Sequence, residues 1–572
     1  MTQPTYTEKR KRGRWFRDFW TITKPYWFSE EKWTALVLLA TVVGLSLASV
    51  YALVVFNTWN QEFYDALQNM NAAAFPKLMG KFSIIAGIYI LLVVYKSYLG
   101  QLLKIRWRRW MTKDLLGTYL NEKTYYLWEL TQRSQTDNPD QRIAEDIWQF
   151  VNITMMLVLD LLSQVVTLFS FIFVLWQISG PISFMLFNKT ITIQGYMVWA
   201  CLFYCLVGSL VTHFLGRTLV ALRFDQQRKE ANFRFSLVRL RENSESVALC
   251  DGAPAEIRSF DSKMADIVKN FHSIIDTQKR LTFFTVFFNQ FANIFPILVA
   301  APRYFSQAIK LGGLMQIANA FGRVQDALSF IVNSYTEIAE WRAVTQRLAT
   351  FIESIGRAKN FKQQADTLIE SHSKDSFELK DIALTIPDGT QLVNGVNLSI
   401  TKGSSLLITG DSGTGKSTLF RTIAGIWPFA KGKIQIPSGV KAMVLPQKPY
   451  LPIDSLKAAL TYPENPTKFS DAEVTEVMKL CKLDKFIERL HDVDSWAIVL
   501  SPGEQQRTSF ARVFLHKPDW LFLDESTSAL DESTQKHMYL SLKKMLPGVS
   551  IISIAHRLSI QEFHEKQFHL QK

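Results

Sequence analysis

Six apolar stretches, at roughly 33–56, 82–104, 151–177, 193–216, 281–302 and 313–335, constrain the first 340 residues more than any other feature of this chain. A bilayer core of about 30 Å is crossed by about 20 apolar residues of helix, so each stretch is long enough to span. Hydrocarbon offers no water to a free N–H or C=O, so the spans are predicted as α-helices. No such stretch occurs after residue 340. Residues 376–572 read instead as a water-soluble α/β domain, with short apolar strands at Ser404–Thr409, Trp520–Leu523 and Ser550–Ile554 alternating with helical patterns. A chain of 572 residues is too long for one core. We therefore divide it into a basic cytosolic N-terminus (1–32), a six-span membrane domain (33–340), a charged helical connector (341–375) and an α/β P-loop domain (376–572). The polar run Ser371–Ser376 marks the last boundary.

The net charge of +13 is distributed by topology. The connections 106–150 and 217–280 carry 7 and 12 Lys and Arg. The presumptive outer loops hold Lys77 and Lys81, then Lys189, then Arg303 and Lys310. The positive-inside rule places both long connections, both termini and the P-loop domain in the cytoplasm. The basic balance thus reads as membrane orientation rather than nucleic-acid binding. The N-terminal Lys9–Arg12 and Arg14 resemble a signal n-region, but Trp33–Phe56 is too long for an h-region and reads as a retained first span. The two long connections have apolar residues at helical spacing, among them Leu115, Leu116, Tyr119 and Leu120. This predicts membrane helices that run on into the cytosol and turn back as levers. Cys201, Cys205, Cys250 and Cys481 show no disulfide or zinc spacing, and Cys201 and Cys205 read as packing residues of one helix face.

The chemistry begins at Gly410-Asp411-Ser412-Gly413-Thr414-Gly415-Lys416-Ser417, which fits G-x-x-x-x-G-K-[ST] between an apolar strand and a helix opening on Thr418. Glycines let the backbone wrap phosphates, and successive N–H groups at a helix start face the anion. Lys416 supplies charge to the β- and γ-phosphates of ATP, and the Ser417 hydroxyl is a ligand for Mg²⁺. Trp520–Glu525 is an apolar strand ending in two carboxylates. Asp524 is placed to hold Mg²⁺ and Glu525 to polarise the attacking water.

Further motifs follow in order: Gln447 within Leu445–Pro449, Leu500-Ser501-Pro502-Gly503-Glu504-Gln505-Gln506-Arg507, Ser528–Asp531 and Ser553–Arg557. The ordered series resembles the nucleotide-binding domain of the ATP-binding cassette (ABC) superfamily. The resemblance implies that Gln447 senses Mg²⁺ and water, that His556 contacts the γ-phosphate and that Asp531 lies at a dimer seam. It also implies that Ser501, Gly503 and Glu504 clasp ATP held by a second copy, so that one cassette and six spans make a half-transporter working as a homodimer. Two residues depart from the superfamily pattern. Pro502 stands where glycine is usual and lacks an N–H, and Ile386 stands where an adenine-stacking aromatic is usual.

The membrane half carries Asn57–Gln68, Arg106-Trp107-Arg108-Arg109-Trp110, Asp137–Ile143 and Arg241–Leu249. Together these resemble the SbmA/BacA-like group and its ATPase-bearing, YddA-like relatives, and more distantly the peroxisomal fatty acyl-CoA half-transporters. The resemblance implies an exporter-type fold in a bacterial inner membrane, coupling to the cassette at Asp137–Ile143 and Glu242–Ala248, and a peptide, cobalamin-like, acyl-CoA or lipid solute. Charges within spans are costly and mark function by default. Asp160, Arg323 and Asp326 are expected to line a polar cavity with Asn289, Gln290, Asn293, Asn319 and Gln325. An Arg323–Asp326 ion pair within one helix and interhelical bonding of Asp160 fit the same residues. Two other functions fit the sequence: a proton-driven carrier with a regulatory cassette, and an ATP-gated sensor or channel.

Overall fold

The computed structural model describes residues 15–131, 138–186, 189–363, 367–555 and 557–571. The chain divides into two compact units, Met1–Leu116 with Asn138–Phe351, and Gly117–Asp137 with Ile352–Lys572.

The first unit is helical. In chain order its elements are α1 (Trp15–Trp27), α2 (Lys32–Gln68) and α3 (Phe75–Leu120, its end entering the second unit). After α4 (Thr124–Thr131), which belongs to the second unit, come α5 (Pro139–Gln141), α6 (Ile147–Ser179), the hairpin β1–β2 (Pro181–Leu186, Lys189–Gln194) and α7 (Tyr196–Glu242). The short α8 (Ser244–Leu249) leads to α9 (Ala253–Phe305), α10 (Leu311–Asn333) and α11 (Tyr335–Gln363). Among the described residues five helical segments are long and apolar enough to cross a membrane, Lys32–Gln68, Ala72–Thr131, Pro139–Ser179, Tyr196–Glu242 and Ala253–Phe305. The sixth expected span is present as α10 but carries Gln316, Asn319, Arg323, Gln325 and Asp326. It is held by one apolar stripe. Leu314, Ile317, Ala320, Phe321 and Val324 pack with Cys201, Cys205 and Tyr204 of α7 and Ala292 of α9. Cys201 and Cys205 are buried free thiols in that core, the packing role their spacing predicts.

Three of the distinctive membrane-half sequences are structural anchors. In Asn57–Gln68, Asp65 Oδ1 accepts from the Gly312 N–H at 2.9 Å and Gln68 Oε1 from the Leu311 N–H at 2.7 Å, capping the start of α10. A Cβ at Gly312 would lie 2.2 Å from the Gln61 carbonyl oxygen, so only glycine lets the helices approach this closely. Trp107 is buried and stacks on Tyr26 of α1 at 5.6 Å, while Arg109 pairs with Glu31 at 2.8 Å. The N-terminal segment expected to be simply basic is therefore, over Trp15–Trp27, an aromatic helix clamped to α3. Residues Arg142–Asp146 form a π-helical turn. It presents the buried Asp146 to Arg142 at 2.7 Å and to Arg347 of α11 at 2.7 Å.

The second unit is built on two sheets. Strands β3 (Thr367–His372), β4 (Ser376–Thr385), β5 (Gln391–Thr401) and β7 (Ala430–Pro437) form one, in the order β3-β7-β4-β5. The other is parallel, with order β13-β6-β12-β11-β8, from β6 (Ser405–Thr409), β8 (Ala442–Leu445), β11 (Trp520–Asp524), β12 (Ser550–Ile554) and β13 (Lys566–His569). Its inner strands β6, β12 and β11 are largely apolar because both their faces are covered, whereas the edge strand β13 is mostly polar and exposed. Leu406, Ile408, Trp520 and Phe522 face the first sheet with Phe377, Ile382 and Leu384. Their neighbours Leu407, Leu521 and Leu523 face the helical side with Leu456, Phe510 and Met538. That side comprises α13 (Leu456–Thr461), α14 (Asp471–Leu480), α15 (Trp496–Val499), α16 (Pro502–His516) and α17 (Glu532–Met545), with the short antiparallel pair β9 (Asp454–Ser455) and β10 (Val493–Asp494), while α12 (Lys416–Ile423) follows β6.

Two boundaries differ from the sequence expectation. Within the polar run Ser371–Ser376, residues 373–375 connect β3 to β4, both of which pair with β7, and the second unit already takes in the chain from Ile352. It also includes the tip of the first cytosolic hairpin. Leu130 of α4 is buried with Phe377 and Leu384. Lys123 Nζ donates to the Ala424 carbonyl at 3.1 Å, and Trp128 Nε1 donates to Ser354 Oγ at 2.7 Å. The hairpin residues against the nucleotide domain are thus 123–130. Asn138–Ile143 belong to the other unit, and Asp137 lies outside the described residues.

Candidate active site

The loop Gly410–Gly415 joins β6 to α12, and Asp524 ends β11, with β12 lying between the two strands. Both therefore open on the carboxyl edge of the parallel sheet, the edge where α/β folds bind ligands. The loop's tight turn needs glycine. Gly410 sits at φ +147° with the Leu570 carbonyl only 2.6 Å from where a Cβ would be, and Gly415, at φ +95°, precedes the first turn of α12. Leu392 and Val393 of the β4–β5 hairpin lie against Gly415. Ile386, at the turn of that hairpin, is half-buried and donates its N–H to the Thr390 carbonyl at 2.9 Å.

Lys416 is buried, and its Nζ donates to the carbonyl oxygens of Gly410 and Asp411, 2.7 Å each. The cation is thus held inside the curl of its own loop. Thr414 Oγ1 closes the curl on the Asp411 carbonyl at 2.9 Å, whereas Asp411, Ser412 and Gly413 are exposed at its lip. Thr418 is buried and begins the helix core. Ser417 Oγ donates to Asp524 Oδ1 at 3.0 Å. Burial pushes the Asp524 carboxyl above the usual carboxylate range, against the Ser417 hydrogen bond, and the adjacent Glu525 charge pushes the same way. Gln447 Nε2 donates to Glu525 Oε2 at 3.1 Å. Glu525 holds a left-handed backbone, φ +48°, rare for a residue with a side chain. Its N–H is tied to the Ile554 carbonyl at 3.1 Å.

One residue at the centre of this network belongs to the Leu500–Arg507 motif but was given no role from sequence. Gln506, buried in the first turns of α16, donates to the Gln447 carbonyl at 3.2 Å and to Ser528 Oγ at 3.1 Å. Its Oε1 accepts from the Ala529 N–H at 2.9 Å. A glutamine directly after Gly503-Glu504-Gln505 was the available signal. Arg557 Nη1 and Nη2 donate to the Leu530 and Ser528 carbonyls at 2.6 and 2.9 Å, steadying the segment that ends in Asp531. Asp531 caps α17, and hydrogen bonds from Ser533 and Thr534 hold its carboxyl well below the usual range. His556 lies outside the described residues.

The Ser501–Glu504 segment is not gathered with these groups. Ser501 and Glu504 form a capping box at the start of α16, with the Ser501 N–H donating to Glu504 Oε2 at 2.8 Å. The remaining Glu504 oxygen pairs with Lys485 at 2.6 Å. Burial raises the Glu504 carboxyl, but Lys485 and the Ser501 hydrogen bonds outweigh it, and the net shift is downward. Ser501 and Pro502 remain exposed.

Residues 22–305 match the family of the ABC transporter transmembrane region 2, and residues 393–528 match the ABC transporter family. An ABC transporter ATP-binding protein of Haemophilus influenzae is 34% identical over 98% of this chain and 93% of its own length. The chain belongs to the ABC transporters. The inner membrane ABC transporter ATP-binding protein YddA of Escherichia coli is 31% identical, covering 94% of each chain. The human lysosomal cobalamin transporter ABCD4 is 25% identical over 94% of this chain and 91% of its own. A bacterial Atm1-family ABC exporter with ATP bound superposes with a TM-score of 0.67 at 18% identity, over 94% of this chain and 93% of that one, and shows the exporter fold. This ABC half-transporter thus couples an ATP-binding, ATP-hydrolysing domain to solute movement through a helical membrane domain.

Proposed function

We propose that the chain works as a homodimer in a bacterial inner membrane. Its cassette lies in the cytoplasm, and ATP binding and hydrolysis drive alternating access for a hydrophilic or amphiphilic solute. The observation that carries this reading is the joined cluster of Ser417–Asp524 and Gln447–Glu525 beside the curled phosphate loop. Resemblance to the SbmA/BacA-like group and to YddA supports the location, and the cobalamin transport named for ABCD4 supports a polar solute.

In this reading the N–H groups of Ser412 to Ser417 receive the phosphates, and Lys416 exchanges its two carbonyl partners for phosphate oxygens. The hydroxyl of Ser417, the Asp524 carboxylate and the Gln447 amide oxygen are hard oxygen donors suited to Mg²⁺. Bound there, Mg²⁺ would neutralise phosphate charge. Glu525, held by Gln447, takes the proton of the attacking water, and His556 contacts the γ-phosphate. Asp531 lies at the seam between copies. Ser501, exposed at a helix start, and the half-buried Gly503 N–H, apart from their own loop, complete the site of a second copy, while Glu504 fixes that helix end. The second hairpin tip, α8, is exposed over most of its length, with Leu249 80% exposed, and we assign it to the partner subunit's cassette. Motion of the cassettes reaches the membrane through the docked 123–130 tip.

Transport into membrane vesicles of both orientations tests the reading. Uptake should be blocked by vanadate and by Lys416→Ala and should survive a protonophore. The opposite pattern would install the proton-driven carrier instead, and flux that only follows a pre-existing gradient would install the gated channel.

A further inference from the structure

Within the first unit, α2, α3, α6 and α10 enclose a cavity of about 520 Å³. Lys96, Lys104, Asp160, Arg323 and Asp326 all line it. We propose that this cavity binds a water-soluble solute carrying both an anionic carboxylate or phosphate and an ammonium group.

The sequence pointed to Asp160, Arg323 and Asp326 but missed the two lysines. Asn289, Gln290, Asn293, Asn319 and Gln325 do not line this cavity. A charge at membrane depth is costly, so five of them lining one cavity, from α3, α6 and α10, demand compensation. Among the described residues no salt bridge joins any two of the five; what they give one another is longer-range attraction, Asp160 to Lys96 and Lys104 and Asp326 to Arg323. Lys96 Nζ reaches Ser163 Oγ at 3.4 Å and Lys104 Nζ reaches Asn152 Oδ1 at 2.8 Å, both neutral partners. Charges of both signs are held apart and open to a guest. Lys96 and Lys104 are eight residues apart on α3, about 12 Å along the axis, while Arg323 and Asp326 are one turn apart on α10. Separated poles of both signs fit a dipolar solute, and three cations against two carboxylates favour a guest with an anionic end. An acyl tail or a neutral apolar solute would strip water from these charges and offer them no partner in return. The volume suits a small molecule, typical sites being about 300–1,000 Å³.

The inference deepens the transporter reading and rests on it. It is tested with the full chain in phosphatidylcholine nanodiscs. Two zwitterions, trialanine and glycerophosphoethanolamine, are compared with a neutral probe, N-acetyl-trialanine methyl ester. Binding is read as a thermal shift without nucleotide, and coupling as ATPase stimulation. We expect at least one zwitterion to raise the midpoint and to stimulate ATPase at least threefold, at a concentration at least tenfold lower than the neutral probe. Lys96→Gln and Asp160→Asn should each raise that concentration at least tenfold, and Lys77→Gln, on an exposed surface, should not. Equal response to the neutral probe, or response to neither zwitterion, would overturn the proposal even with ATPase intact. A response that needs phosphatidylethanolamine in the nanodisc rather than added zwitterion would assign the charges to a lipid headgroup and also overturn it. ATPase that persists in Lys416→Ala would instead sink the ATP-driven reading, leaving the nucleotide-free thermal shift to decide the cavity.

Discussion

Gln447 donates its side-chain amide to the carboxylate of Glu525 across 3.1 Å, so the residue proposed to move a proton is aimed by one from a separate strand edge. General-base help contributes about 10²–10⁴-fold. Glu525→Gln should keep ATP binding and lower steady-state phosphate release at least 100-fold. Gln447→Ala, which leaves the carboxylate but frees it to rotate, should cost less, about tenfold. Nucleotide binding measured beside phosphate release separates the two, and near-normal turnover in Glu525→Gln would remove it from the role.

Gln506 offers a sharper test of positioning. Its amide links the Gln447 carbonyl, Ser528 and the Ala529 N–H within a buried space. Gln506→Leu keeps the volume and strands those partners, at about 1–3 kcal/mol for each buried group left unsatisfied. We expect a lower cassette melting temperature and a kcat reduced at least tenfold with little change in ATP affinity. Unchanged kcat with lowered stability would make Gln506 purely structural.

Much of the nucleotide site was legible because its parts are local. A glycine loop between strand and helix, and carboxylates ending an apolar strand, are set by spacing, and the parallel sheet then brings Ser417 to Asp524. What escaped depends on which surfaces meet. Lys96 and Lys104 lie in a stretch, 82–104, whose hydropathy average hides both cations. Which polar residues of α9 and α10 face a cavity is decided by neighbouring helices, not by the helix itself. Residues 123–130 carry aromatic and apolar side chains that would suit many short helices, and only the cassette surface shows that Leu130 and Trp128 are its contacts. The run Ser371–Ser376 has linker composition, yet β3 and β4 on either side of residues 373–375 both pair with β7, so it joins strands of one sheet.

The buried Asp146 gives a stability prediction for the membrane unit. It receives Arg142 at 2.7 Å and two hydrogen bonds from Arg347, at 2.9 and 2.7 Å. Removing one partner of a buried pair costs about 3–5 kcal/mol because the other charge is left uncompensated. Asp146→Ala should therefore destabilise the detergent-solubilised protein strongly. Arg347→Met, which removes a side chain 38% exposed and leaves Arg142 on the carboxylate, should destabilise it less. Equal melting temperatures for wild type and Asp146→Ala would refute the assignment.

His564 predicts a pH dependence confined to the cassette. It is half-buried, Nδ1 facing the Ile560 carbonyl at 2.9 Å and Nε2 facing Ser553 Oγ at 2.8 Å. The carbonyl requires Nδ1–H to donate, so in the neutral ring Nε2 accepts from the Ser553 hydroxyl. Burial pushes the imidazole below its ordinary value, and the Lys543 charge adds to this against the Ile560 hydrogen bond. Because the folded value is the lower one, the unfolded chain takes up the proton first as the medium acidifies. The contribution to stability is complete above about pH 6.5, the unfolded value, and is lost as pH falls from there through the folded value. Melting of the cassette followed between pH 8 and 5 should show that decline, and His564→Gln, which cannot titrate, should flatten it. A decline of the same size in the variant would place the acid sensitivity elsewhere.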